Sequence, residues 1–286
     1  SLRALVVLGS VLYTLLRSKS PPATPSVAVM PLEVRDGDDD DRRIASGLSD
    51  ALLTRLAQNQ RLRVPARTSV GIAAAHRNDL RQVGRELLVN HVLEGLMRRD
   101  GENYTLHLGL VRTSDGFQQW ARRFDIARGE LASAETMIAS EVGGALVGQP
   151  GMAQSLAPIG TDSDEAYRAY LNGNALRYQR TEASLRWAIE RYSDALRIDP
   201  QFAAAHAGSA NAWMLLYEYS NLSLADAQRA AQEHVDAALR LAPDQAIGYS
   251  AHGLMLLDSG DAVAAEKALR KAVGIAPADA TTQMWL

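Results

Sequence analysis

A six-residue phrase written three times limits this chain more than any other feature. Ala195-Leu-Arg-Ile-Asp-Pro200 returns as Ala238-Leu-Arg-Leu-Ala-Pro243 and again as Ala272-Val-Gly-Ile-Ala-Pro277, with the prolines 43 and then 34 residues apart. Ahead of each proline, small residues recur at fixed offsets. They are Ala188 and Ala195, Ala231 and Ala238, and Ala265 and Ala272, with Tyr192, Val235 or Leu269 between them. Gly173 and Gly253 stand in the leading helices, where a missing side chain lets two helices come close. A helix pair repeated at this spacing cannot bury its apolar face alone and must stack on its neighbours. The longer, 43-residue spacing reads as the same unit with an extended helix–helix loop around residues 220–225. Residues 164–286 are therefore expected to form an all-α repeat solenoid of about three units, the last followed by a truncated helix.

The stretch 91–125 follows a different rule. Three apolar-rich runs are separated by Asp100-Gly101 and Asp115-Gly116, and Asp-Gly supplies the φ > 0 positions of tight hairpin turns. In the middle run Tyr104, Leu106, Leu108 and Leu110 alternate with Thr105, His107 and Gly109, the period of a strand with one buried face. A three-stranded antiparallel meander with one oily face needs a cover. The neighbouring helical patterns supply it: Ile44, Leu48, Leu52 and Leu56 within 42–58, and Leu131, Ala134, Ile138, Val142 and Ala145 after the meander. Between them come a short strand at 27–32, another at 62–64 stopped by Pro65, and a short helix capped by Thr68 or Ser69. A further helix, capped by Asn78, carries Leu80, Val83, Leu87 and Leu88 on one face. Asp36 to Asp41 lack calcium-loop spacing and read as a solvated loop whose charge suits the next helix N-terminus. Residues 26–150 are thus expected as an α/β domain, a mixed sheet with helices packed on it, joined to the array by a linker over 151–163.

At the start, residues 4–16 are apolar apart from Gly9, Ser10, Tyr13 and Thr14, with Arg3 and Arg17 at the flanks. Thirteen helical residues span roughly 20 Å, short of the ~30 Å of a hydrocarbon core. A membrane anchor over 1–19 is favoured, its arginines snorkelling, over a signal-peptide core and over a buried helix. Residues 20–25 form a Pro-rich linker. Ser1 in place of a methionine reads as a fragment or a processed form.

Composition removes several chemistries. There is no cysteine, hence no disulfide, thiolate zinc site or cysteine nucleophile, and a net charge of −3 gives no field suited to nucleic acid. No two of the six histidines have helix-face metal spacing, and phosphate loops and nucleophile elbows are missing. Gly143-Gly144 lies in a helical pattern and reads as a close-packing site. Arg98-Arg99 and Arg122-Arg123 read as a solvated edge, and Trp120 with Phe124 as core. No catalytic, cofactor or metal residue is expected.

Residues 26 to about 147 resemble the TolB amino-terminal-like domain, also similar to the FlgO-type domain. VAVMPL, IASGLSDALLTRLAQ, LRVPARTSV, QVGRELLVNHVLEGLMRR and QQWARRFD carry the likeness. From Asp164 onward the chain looks like a tetratricopeptide array, notably DEAYRAYLNGNALRYQRTEASLRWAIERYSDALRIDPQFAAAHAGSA. The resemblance implies a non-catalytic sensory and protein-interaction module on the periplasmic side of a bacterial inner membrane. There it would be tethered by a single helix, as in CadC-like membrane-bound winged-helix transcription regulators. Contact with DNA would come only through a domain outside this chain. The alternatives are a cytoplasmic regulatory extension of a class III adenylate cyclase or other signalling enzyme, and a free-standing anchored scaffold. The expected partner is a protein or peptide in the concave groove, with Asn174, Arg177 and Asn211 as candidate contacts. The stretch 278–286 repeats the start of a unit, so a further repeat, or pairing with a second copy of the chain as a homodimer, is expected to cover Met284, Trp285 and Leu286.

Overall fold

The computed structural model describes residues 24–127, 129–148, 160–276 and 282. The anchor and most of both linkers lie outside the described residues, as does 278–286 except Thr282. Among the described residues no helix is long and apolar enough to cross a membrane.

The meander forms as its turn chemistry dictates. β3 (His91–Asp100), β4 (Asn103–Arg112) and β5 (Gln118–Ile126) pair antiparallel in sequence order. Gly101 (φ 60°) and Gly116 (φ 80°) take the left-handed turn positions. A bulge between Leu110 and Val111 shifts the β4–β5 register. β1 (Val27–Val29) and β2 (Glu33–Arg35) lie in succession along the other edge of β3, both parallel to it, so the sheet is mixed. The strand expected at 62–64 is not there: Arg63 makes only an isolated bridge to Ser26. β2 went unread because it is three residues of mostly exposed, charged sequence.

One sheet face, with Leu93, Met97, Tyr104, Leu106, Leu108, Leu110 and Phe124, is covered by α1 (Asp39–Ala57) and α4 (Leu131–Val147). On the other face Ala28, Met30 and Val92 pack under α2 (Arg67–Ala73) and α3 (Leu80–Leu87), leaving the rest of that face open. The aspartate run is divided: Asp36 to Asp38 stay in the loop, and Asp39 to Asp41 begin α1, where their charge suits its N-terminus. Asp38 caps it in a capping box with Asp41, Asp39 to Asp41 form its first turn, and Asp41 is buried, accepting from the Tyr104 hydroxyl at 3.2 Å. Two expected caps move. α2 starts after Ala66 with no side-chain cap, and Asp79, not Asn78, caps α3. Leu88 leaves the apolar face because it closes α3 in a left-handed conformation, exposed. Gly143 sits in open packing: a Cβ there would meet only Leu56 Cδ2, at 3.9 Å.

The described residues from 164 to 276 form three helix pairs: α5 (Asp164–Arg177) with α6 (Glu182–Ile198), α7 (Ala203–Tyr219) with α8 (Leu224–Leu241), and α9 (Ala246–Asp258) with α10 (Ala262–Ile275). Every alanine picked out by the repeat is buried, as are Tyr192, Val235 and Leu269. A Cβ on Gly173 would fall 2.7 Å from the Tyr192 ring, and one on Gly253 2.6 Å from Leu269, so the close approaches are real. All but one of the extra residues between Pro200 and Pro243 lie in the helices and not in the loop. α7 and α8 have 17 and 18 residues, α9 and α10 have 13 and 14, and the turns differ by one residue. Four residues are close to one helical turn, so each helix lengthens while keeping its buried face inward.

The sheet and the array share one core. The cluster under the meander continues through Tyr167 and Leu171 of α5 to Ala195 of α6 and Phe202 and Ala205 at the start of α7. α1 crosses α5 so closely that a Cβ on Gly47 would come within 2.5 Å of the Leu171 carbonyl oxygen. Polar contacts stitch the seam. Asp164 accepts from the Leu131 N–H at 2.7 Å, capping α4 from outside its own helix, and Arg43 Nε donates to Asn172 Oδ1 at 2.8 Å. Buried Glu135 receives Arg55 Nε at 2.5 Å and the Tyr167 hydroxyl at 2.6 Å. Arg67 pairs with Asp50 and lies 3.8 Å over the Tyr178 ring.

Candidate functional site: a groove between α1 and the leading helices

α5, α7 and α9, the leading helices of the three pairs, form one wall of a groove, and α1 of the sheet part forms the other. The enclosed space is about 290 Å³. Ligand pockets commonly run from about 300 to 1,000 Å³, so this one suits one or two large side chains, not a whole helix. Its floor is apolar: Leu53, Met214, Leu215, Ile247, Leu254 and Leu257. The repeat phrase explains that floor, because the phrase positions the second helices behind and turns the first helices toward the groove.

Three buried acceptors in the lining have no hydrogen-bond partner among the described residues: Asp50 Oδ2, Gln58 Oε1 and Asn211 Oδ1. An unmade hydrogen bond at a buried group destabilises by roughly 1–3 kcal/mol, so three in one cavity is an arrangement that a donor-bearing ligand would relieve. Three of the four arginines in the lining are engaged; the fourth, Arg180, is exposed. Arg67 is held by Asp50, Arg55 by Glu135, and Arg177 donates from Nε to the Tyr192 hydroxyl at 3.2 Å while lying 4.5 Å over the Tyr178 ring. Burial lowers the Arg67 guanidinium to about 10, still charged at neutral pH. Tyr167 is raised well above the usual phenol range, first by burial and then by the Glu135 charge, so it remains a donor.

The three residues marked from sequence separate here. Asn211 lines the groove with a free acceptor. Arg177 lines it too, its guanidinium committed to two tyrosines. Asn174 is buried behind the wall, its Oδ1 accepting from the Tyr192 hydroxyl at 2.7 Å. Asp50 and Gln58 were not legible as site residues, since α1 reads as an ordinary amphipathic helix and nothing local shows what it faces.

A second depression, about 480 Å³, lies on the open sheet face between Glu33, Arg77, Glu94, His107 and Arg123. It is larger but shallow, and its arginines are paired, Arg77 with Glu33 at 3.1 Å and Arg123 with Asp125 at 2.8 Å. Arg99 and Arg122 are paired as well, with Asp38 and Glu141. The Trp120 and Phe124 rings pack in a tilted arrangement with centroids 6.3 Å apart, Phe124 buried and Trp120 partly so. Among the described residues no cluster of three or more His, Asp or Glu could hold a metal ion. His206 and His234 meet across α7 and α8 with their Nδ1 atoms 3.0 Å apart, a pairing their sequence spacing did not announce.

No family model matches the chain. Over 191 residues, 65% of its length, it is 29% identical to "Putative adenylate cyclase 3" of Rhizobium meliloti (strain 1021). The match covers 32% of that protein, so the chain spans about a third of the relative's length. Among solved structures, TolB from Acinetobacter baumannii overlays with a TM-score of 0.36 at 18% identity, covering 47% of this chain and 31% of that one. The LpoB C-terminal domain from Salmonella enterica gives 0.30 at 14% identity, covering 40% and 91%.

Proposed function

We propose that this chain is a non-catalytic interaction module of a signalling protein, and that the groove between α1 and the leading helices receives a short segment of a protein partner. The observation that carries this is the cavity itself, with an apolar floor and three unpaired buried acceptors drawn from both parts of the fold. The helix pairs are tetratricopeptide-type units in this reading, two helices of the middle pair each longer by a turn. Concave helical arrays are binding scaffolds, so the fold does not supply the partner and the site must.

The relative whose name is adenylate cyclase, most of which lies outside the match, supports attachment of this module to a signalling enzyme as a regulatory extension. The second reading is a periplasmic sensor tethered to the inner membrane, supported by the apolar run at 4–16 with its flanking arginines.

The groove is tested by selecting peptides from a displayed library against the folded chain and measuring them against two variants. Leu254→Trp fills the cavity and is expected to weaken the selected peptides at least tenfold. Trp187→Ala, at an exposed position on α6, is expected to leave them unchanged. Selected peptides that bind Leu254→Trp as tightly as the parent would refute the groove as the site.

A further inference from the structure

The polar atoms of the groove are unevenly distributed. Asp50 is 6% exposed, one oxygen is taken by Arg67, and the other is buried with no donor among the described residues. Gln58 Oε1, from the same helix, and Asn211 Oδ1, from α7, are in the same condition. At the rim, Glu218 near the end of α7 and Asp258 at the end of α9 make no ion pair among the described residues, although both line the groove. The Asp258 carboxyl is raised above the ordinary value, first by burial and then by the Glu218 charge on the neighbouring leading helix. The lining therefore carries a surplus of acceptors along its depth and a pair of unmatched carboxylates at one end. The intervening surface is Met214, Leu215, Leu254 and Leu257, a path along which an aliphatic stem can lie.

We infer, resting on the reading of the groove as a peptide site, that its occupant is an extended segment of a protein partner bearing a lysine or arginine. The stem of that side chain lies on Leu254 and Leu257, and its cationic head sits between Glu218 and Asp258. N–H groups of the same segment donate to Asn211, Gln58 and Asp50. The specificity belongs jointly to the sheet part and the array, since Asp50 and Gln58 come from α1 and the others from α7 and α9. The volume agrees, because about 290 Å³ admits one long side chain and a short stretch of backbone.

The probes are three pools of acetylated, amidated, fluorescein-labelled nonapeptides. The central residue is fixed as arginine, norleucine or glutamate, and the other positions are randomised over Ala, Leu, Ser and Gly. Anisotropy with the whole chain is expected to rank arginine about tenfold tighter than norleucine, the factor a charge-assisted contact of ~1.4 kcal/mol gives, with glutamate weakest. Glu218→Gln/Asp258→Asn, at solvent-reachable positions, is expected to erase the arginine preference while leaving norleucine binding and the circular dichroism spectrum unchanged. Three pools that bind alike, or an arginine preference that survives the double variant, overturn the cationic assignment while leaving the groove reading standing. No binding by any pool overturns both. Free N-acetyl-arginine amide competing as well as the arginine pool would show a small-molecule cation site and overturn the peptide segment as occupant.

Discussion

Alanine at Gly47 and alanine at Gly143 are the same change in two helices that pack on the same sheet face, and the packing gives them opposite signs. In a helix interior glycine is about 0.8–1 kcal/mol worse than alanine, so both substitutions begin with a gain of that size. At Gly143 the added methyl meets only Leu56 Cδ2 at 3.9 Å, an ordinary contact, and the gain remains. At Gly47 it would sit 2.5 Å from the Leu171 carbonyl oxygen and 2.8 Å from the Leu171 carbonyl and α carbons. Those are backbone atoms of α5 and cannot swing aside. The crossing must open, which stretches the Arg43–Asn172 and Tyr167–Glu135 hydrogen bonds with it. Overpacking of this kind destabilises by about 1–3 kcal/mol or more, so Gly47→Ala is expected to be net destabilising by ~1–2 kcal/mol. At 2–4 °C per kcal/mol, Tm falls by roughly 2–8 °C, while Gly143→Ala raises it by about 2–4 °C. Urea unfolding followed by far-ultraviolet circular dichroism measures both. If Gly47→Ala stabilises as much as Gly143→Ala does, α1 is not pressed on α5 in solution, and a groove shared by sheet and array has no basis.

Other outcomes follow from the same geometry. Gly253→Leu is expected to lose about 1–3 kcal/mol by collision with Leu269, read as a lower urea midpoint; an unchanged midpoint would place Gly253 at the surface. His206 Nε2 donates to the Pro200 carbonyl at 3.1 Å, which leaves its Nδ1 to accept from His234. Burial and then the neighbouring His206 lower His234 to about 4. The unfolded chain thus takes up the proton first, so the contribution to stability is complete above pH ~6.5 and is lost as pH falls toward 4. After allowance for solvent screening the loss is on the order of 1–2 kcal/mol, and His234→Gln should flatten Cm against pH across that window. A slope retained in His234→Gln would assign the effect elsewhere. Removal of residues 1–23 is expected to leave a folded, soluble chain, because Pro25, whose carbonyl accepts from the Arg63 N–H at 2.9 Å, is kept. Loss of the circular dichroism signal would make that segment part of the core and remove the anchor reading.

Short-range chemistry made much of the fold legible. Asp-Gly turns, the period-two run through Tyr104 and Leu110, and the alanine offsets ahead of each proline all act within a few residues, so the meander and the helix pairs could be read from the chain alone. Where a local rule had rivals the reading slipped. Asp79 outcompeted Asn78 as a cap, and extra length went into α7 and α8 because helices can absorb a full turn without turning their buried faces outward. The seam and the groove were decided only by tertiary packing. Arg43 and Asn172 are 129 residues apart in the chain, and Gly47 has no sequence mark that pairs it with Leu171. Asp50 and Gln58 look like the ordinary polar face of an amphipathic helix until the array is laid over that face. A side chain's periodicity records which way it points, whereas its chemistry depends on what stands opposite, and here that neighbour comes from a distant stretch of sequence.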